Sequence, residues 1–304
     1  MIKIKNLEDA FATKETFPES TKALYDNLDL RYDELDPKQE IALKEKIRHQ
    51  IKLGFTKVGS HRAGIWESAW NEARKNFLSD GYKIEALNPS FINNHDVVRW
   101  NGKYIKPISK RFELSFFEIF RDWLFTTYLP DFQNIYEFGS GSGFNLIALA
   151  EKYPKKKMVG FDWSISATEI LNDYSRETGH DIRGKVFDFF NPDYSLGIPP
   201  KTAVMTFCSF EQIGHDFSEM LRFFMQKKPD LIIQMEPTLE YYDNTSDFDQ
   251  LAIQYHQSRN YLSGYLTRLQ ELENKDQLKI LHSKRMHFGS KYHEAYSIHI
   301  WKPL

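Results

Sequence analysis

The stretch Glu137-Phe138-Gly139-Ser140-Gly141-Ser142-Gly143, followed by Val159-Gly160-Phe161-Asp162, constrains this chain more than any other. Residues 134 to 138 favour a strand and lead straight into three glycines spaced by serine, after which 144 to 152 carry a helical apolar pattern. Glycine lets the backbone turn sharply and lets a ligand lie against it, while the new helix offers unpaired N–H groups and a positive dipole end to an anion. The spacing predicts a strand, a turn, a helix and a second strand ending in a carboxylate able to accept from a ribose, which is a nucleotide cradle. The dinucleotide pattern G-x-G-x-x-G would need glycine at position 144, where Phe144 stands, so a pyrophosphate-binding helix is disfavoured.

The form E-x-G-x-G-x-G resembles the first motif of the class I S-adenosylmethionine-dependent methyltransferases, and Asp162 falls where that family places its ribose-binding acid. The resemblance covers roughly residues 130 to 304 and extends to the order of elements. The helix after Asp162 is expected to open at the capping box Ser166 to Glu169 and stop at Gly179. Further strands are expected at 185–190, 203–208 and 231–235, with a helix at 217–227. A long helical region from about 248 to 273 leads to two late strands, at 278–282 with a continuation to 288, and at 296–301. This order is similar to the seven-stranded methyltransferase sheet. The fold class expected is therefore α/β: a Rossmann-like seven-stranded sheet with helices on both faces and its last strand antiparallel, plus a mainly helical N-terminal extension.

Residues 1–125 read as that extension, a cap that sets substrate specificity, and 126–304 as the cofactor-binding domain. The first 35 or so residues are polar, without a clear period, and are expected to wrap or precede the first packed element. Asp36-Pro37 starts a helix ending at Gly54, and a second helix runs from Ala63 to Leu78 with Trp66, Trp70, Ala73 and Phe77 as a packing face. Asn101-Gly102 marks a hairpin near 96–107, and a helix over 113–128 follows. A cap of this kind is the natural source of acceptor specificity, with Trp100 and Tyr104 on its hairpin.

Composition narrows the function classes. A net charge of -2 gives no overall drive toward nucleic acid, and the single Cys208 excludes an intrachain disulfide framework and a cysteine-based zinc site. No stretch reaches the roughly 20 apolar residues of a membrane helix, and Met1-Ile2-Lys3-Ile4-Lys5 has no signal core, so a cytoplasmic protein is expected. Twenty-four Phe and sixteen Tyr predict a large aromatic core. His287, His293 and His299 lack metal-ligand spacing on one element, and no metal is expected.

Ligands of open α/β sheets sit beyond the carboxyl ends of the strands. The resemblance implies S-adenosylmethionine as cofactor, with Glu137 orienting the loop or the methionine part, Gly139, Gly141 and Gly143 forming the turn, and Asp162 on the ribose. It also implies Asp188 on the adenine amino group; Trp163, beside Asp162, and either Phe189 or Phe190 are candidates to cover the ring. The fourth strand ends at Cys208-Ser209-Phe210-Glu211-Gln212, beside the transferable methyl, with Cys208 a small filler rather than a nucleophile. No Asn/Asp-Pro-Pro-Tyr tetrad follows, which argues against methylation of base nitrogens. Glu211 and His215 are the candidate bases for removing an acceptor proton. Glu236, Tyr104, Tyr255 and Arg259 are candidate acceptor contacts, within a segment rich in phenols and cations.

The expected activity is methyl transfer to an oxygen or nitrogen of a small polar metabolite. A protein or RNA acceptor, a nicotinamide-dependent oxidoreductase on the same cradle, and a non-catalytic binding fold are the alternatives left open.

Overall fold

Hydrophobic spacing changes character near residue 130, and the architecture changes with it. Before that point the computed structural model, which describes residues 1–304 apart from 14, 90, 91 and 93, runs α1 (Ile4–Phe11), α2 (Glu19–Asp26), β1 (Tyr32–Glu34), α3 (Pro37–Leu53), α4 (Ala63–Ser79), β2 (Val98–Trp100), β3 (Lys103–Pro107) and α5 (Phe112–Tyr128). Strand and helix then alternate: β4 (Asn134–Phe138), α6 (Phe144–Lys152), β5 (Lys157–Asp162), α7 (Ile165–Thr178), β6 (Ile182–Val186), β7 (Thr202–Phe207), α8 (Ser218–Lys227) and β8 (Leu231–Met235). The chain closes with α9 (Asp247–Arg259), α10 (Tyr265–Glu273), β9 (Leu278–Arg285), β10 (Phe288–Ser290) and β11 (Ser297–Pro303).

Seven strands form one sheet in the order β6-β5-β4-β7-β8-β11-β9. The first five are parallel, and β11, last in the chain, inserts antiparallel between β8 and β9. Every residue of β7 and β8 is buried, as central strands covered on both faces require. The order reverses between β4 and β7, so the crevice at a topological switch point opens beyond the carboxyl ends of β4, β5 and β7. A smaller sheet, β1-β3-β2-β10, is built around the Asn101-Gly102 hairpin, whose turn residues both have positive φ (48° and 78°) as a type I′ turn needs.

Local chemistry explains several element ends. Asp36 accepts from Gln39 N at 2.9 Å while the Gln39 side chain returns to Asp36 N, the capping box that opens α3. Helix α7 opens one residue pair earlier than expected: Ser164, not Ser166, accepts from Ala167 N at 3.1 Å, which leaves the Ser166 hydroxyl inside the helix and free to bond elsewhere.

Three further expectations need correction. The third strand lies at 182–186 rather than 185–190, because Ile182 is the buried residue that pairs with Met158, and the chain turns away after Val186. The long helix is two helices, broken where Asn260 adopts φ 58° and Tyr261 N bonds back to His256 O. Phe288 does not continue β9 but crosses to the smaller sheet, opposite Trp100. The first 35 residues, expected to wrap or precede the first packed element, are themselves part of the packed core. Ile2, Leu7, Phe11, Phe17 and Leu30 are buried, and the Phe11 ring meets Phe116, Phe120 and Trp123 of α5. Their apolar positions are few and scattered among charges, so periodicity hid them. One hydrophobic core runs from Ile2 through α5 to Ile300.

The α7–β6 contact is close enough to test. A Cβ on Gly184 would overlap the backbone of Thr168, which cannot rotate aside as a side chain would. Gly184→Ala is expected to lower stability by about 1–3 kcal/mol. An unchanged urea midpoint would contradict the packing described.

Candidate functional site

At the end of β4 the chain turns through Gly139 and Gly141, with φ of 74° and 51°. A Cβ on Gly139 would overlap the Ser209 side chain, and one on Gly141 would come within 2.8 Å of the Trp70 ring, so both positions need glycine for space as well as conformation. Asp162, ending β5, fastens this turn: Oδ2 accepts from Gly141 N and Oδ1 from Ser164 N, each at 2.9 Å. Burial raises its pKa to about 6, against the downward pull of those two N–H groups. Glu137 Oε1 accepts from Asn145 Nδ2 at 2.8 Å, but Oε2 has no partner among the described residues, and burial drives this carboxyl up to about 8. Asn145 Oδ1 and Ser140 Oγ are likewise buried without partners. All four side chains border a cavity of about 470 Å³.

Helix α4 closes one side. Trp66 and Trp70 stack with centroids 5.6 Å apart, and both face the cavity. Between them on the helix, Glu67 accepts from the Ser164 and Ser166 hydroxyls, each at 2.6 Å. Partial burial pushes the Glu67 pKa up, but the serine bonds at the start of α7 outweigh it and the net shift is downward. Arg74 completes the attachment, bonding Asp173 at 2.7 Å and also Glu169. The serine displaced from the cap of α7 thus becomes a clasp for α4.

The remaining wall combines the end of β7 and the 3-10 turn Phe210–Ile213 with residues from α9 and the segment 290–296. Cys208 and Ser209 line it, and burial raises the Cys208 thiol well above its usual range. Glu211 lines it too; Oε1 accepts from Gln212 Nε2 at 2.8 Å, Oε2 has no partner, and burial, then Glu236, drive its pKa to about 8. Tyr255 and Arg259 face the cavity, as do Trp163 and Phe189, with Trp163 stacked on Phe190 at 6.1 Å.

Five predicted residues lie outside the lining. Gly143 caps the N-terminus of α6 and packs against Leu171. Asp188 is two residues beyond its strand and is engaged in a turn, accepting from Phe190 N at 2.8 Å and Asn191 Nδ2 at 2.9 Å. His215 is exposed beyond the Phe210–Ile213 turn and does not line the cavity. Glu236 is fully buried beneath that turn, where Oε1 accepts from Ser209 N and Phe210 N and Oε2 from Glu211 N at 3.1–3.3 Å, and so braces the turn. Tyr104 is buried under Arg99 and Phe248.

A bonded group that the sequence did not single out lines the cavity. His95, from the loop before β2, bonds through Nδ1 to Glu113 Oε2, and Tyr296 donates to Glu113 Oε1 at 3.1 Å; all three border the cavity. The bond to Glu113 raises the His95 pKa, against burial and Lys291. His293, read as structural, also borders the cavity and bonds His256 at 3.1 Å. Among the described residues no cluster suited to a metal ion occurs, and no helix is long and apolar enough to cross a membrane.

The buried acids set the direction of pH dependence. Glu137 and Glu211 hold their protons to about pH 8 in the folded chain, whereas the ordinary value is 4.5, so between pH 7 and 9 the folded state binds more protons and stability falls as pH rises. Histidines buried neutral, such as His256, release their unfolded-state protons mostly below this window. The expected loss is about 1–3 kcal/mol by urea unfolding, roughly halved in Glu137→Gln. Stability that is flat or rising over that range would contradict it.

No family model and no curated protein matches the sequence. Solved structures are similar in fold. The [4+2]-cyclase SpnF aligns with 82% of this chain and 98% of its own at TM-score 0.56 and 11% identity. Magnesium protoporphyrin IX methyltransferase (ChlM) from Synechocystis PCC 6803, with bound SAH, aligns with 62% of this chain and 81% of its own at TM-score 0.44 and 13% identity. Geranyl diphosphate methyltransferase in complex with SAM aligns with 66% and 93% at TM-score 0.43 and 13% identity. The chain has the Rossmann-like, seven-stranded architecture with an antiparallel last strand.

Proposed function

We propose that the chain is an S-adenosylmethionine-dependent methyltransferase acting on an oxygen or nitrogen of a small acceptor. The observation that carries this reading is the set of buried, unpartnered polar atoms around the glycine turn, led by Glu137 Oε2. A buried carboxyl oxygen without a partner is costly, and the cofactor's ammonium would supply both the missing donor and a positive charge that favours the ionised form of Glu137. Asp162 has lone pairs left for a ribose diol after binding two N–H groups, and Trp163, Phe189 and Phe190 offer faces for adenine. The residues present therefore fit the cofactor, which supplies an electrophilic methyl group when bound.

The chain's own contribution is to exclude water, orient the acceptor and take its proton. Helix α4 covers the cavity, clasped through Glu67 and Arg74. His95, held by Glu113, is assigned as the base that accepts the acceptor's proton, in place of His215; Glu211, mostly protonated at neutral pH, is a donor to the acceptor. The ring-lined cavity of about 470 Å³ suits a small molecule rather than a polypeptide. Phe144 where a dinucleotide site would carry glycine speaks against a nicotinamide cofactor.

Isothermal titration with S-adenosylmethionine tests the cofactor assignment, and absence of heat would sink it. Transfer of labelled methyl from the cofactor into fractionated cell extract tests the reaction class. Cofactor binding with no transfer to any fraction would leave the fold serving another chemistry.

A further inference from the structure

Two guanidinium groups stand in one wall of the cavity without a charged counter-ion bonded to them. Arg62, in the turn leading into α4, donates from Nη1 to Gln212 Oε1 at 2.7 Å, and Arg259, ending α9, donates to the carbonyl of Thr56 and bonds the Tyr261 hydroxyl, a neutral partner. The Nε of each is buried with no hydrogen-bond partner among the described residues. Arg74, Arg99 and Arg285 show the contrasting pattern, each within ion-pair distance of carboxylates. Arg62 and Arg259 are near enough that, after burial, Arg259 is the main influence lowering the Arg62 pKa. The acid that bears on both, Glu211, is driven up to about 8 and is mostly uncharged at neutral pH.

Like charges held together in a partly buried wall with donors unfilled leave a place for an anion. The surroundings say what kind. Trp66 lies 5.1 Å from the Arg62 guanidinium and Tyr261 5.1 Å from that of Arg259, while Tyr255 and Tyr292 stack beside them. A planar fork on a ring-lined wall, with each Nε still unpaired, matches a planar carboxylate attached to a ring. We propose that Arg62 and Arg259 clamp the carboxylate of an aromatic acid, and that this acid is the acceptor. The inference deepens the methyltransferase reading and rests on it only for the word acceptor.

Tryptophan fluorescence, with Trp66 beside Arg62, measures binding of matched pairs: benzoate and benzamide, 1-naphthoate and 1-naphthamide, indole-3-carboxylate and its carboxamide. At least one acid is expected to bind about tenfold or more tightly than its amide. Arg62→Gln and Arg259→Gln should each reduce that preference and together abolish it, while the heat of S-adenosylmethionine binding stays unchanged; the single variants serve if the double one fails to fold. Equal binding of acids and amides, no binding by any acid, or a preference that survives both substitutions overturns the proposal. An acid preference intact in a protein that gives no heat with S-adenosylmethionine would instead sink the cofactor assignment alone.

Discussion

Replacing Asp162 by alanine is expected to weaken S-adenosylmethionine binding by at least about a hundredfold, read by calorimetry. Two contributions add. The carboxylate is assigned to two ribose hydroxyls, and a hydrogen bond to a charged group contributes about 1.5–3 kcal/mol. It also holds Gly141 N and Ser164 N, so its loss frees both the glycine turn and the start of α7. Asp162→Asn keeps one acceptor oxygen but turns its NH2 onto either Gly141 N or Ser164 N, so it loses the charge and one of the two backbone bonds; an affinity between those of the parent and Asp162→Ala is expected. The pH dependence has a definite sign. With a pKa near 6 in the empty site, Asp162 is protonated as pH falls below that value and becomes a poorer acceptor, so affinity should decline from pH 7 to pH 5. An Asp162→Ala protein that binds as tightly as the parent would remove the ribose assignment, and with it the reading of the turn.

That turn was legible because its information is local. Strand β4, the glycines and α6 fall where the spacing puts them, and Asp162 follows at the end of the next strand. The succession of elements along the chain was legible for a similar reason, since most announce themselves by a short apolar run, while the sheet's strand order came only from the resemblance. What failed is what depends on distant pairing. Asp188 looked like a strand end because Phe187, Phe189 and Phe190 favour strands, yet β6 is positioned by Ile182 against Met158 and ends before them. Glu236 and Glu211 look alike as strand-end acids; only the path of the Phe210–Ile213 turn decides that one braces backbone N–H groups while the other faces the cavity. His95 and Glu113 sit eighteen residues apart on a loop and a helix, and no residue period links them. Tyr296 joins them from the far end of the chain. The wall of the cavity away from the glycine turn is assembled almost wholly from such contacts, so less of it was legible in the sequence.

The His95–Glu113 pair yields the second large effect. With the acceptor recovered by labelled-methyl transfer, His95→Ala is expected to lower kcat by about 10²- to 10⁴-fold, the usual contribution of a positioned general base, with cofactor affinity unchanged. Only neutral imidazole accepts a proton, so kcat/KM should rise with pH through the pKa of His95. Glu113 places that pKa above the ordinary 6.5, while Lys291 and burial oppose it and Asp96 adds to it. Glu113→Gln removes the largest upward influence, so the rising limb should move to lower pH. The plateau should fall as well, because the amide no longer stabilises the imidazolium formed on proton transfer or fixes which ring nitrogen faces the cavity. Tyr296→Phe provides the finer control: it deletes the donor to Glu113 Oε1 at 3.1 Å and leaves the bond to His95, so the carboxylate bears more fully on the imidazole and a small shift of the limb to higher pH, opposite to that of Glu113→Gln, is expected. A purely structural role for the pair would lower activity at every pH without moving the limb. A flat pH profile with full activity in His95→Ala would mean that the acceptor arrives already deprotonated, and that alignment alone carries the reaction.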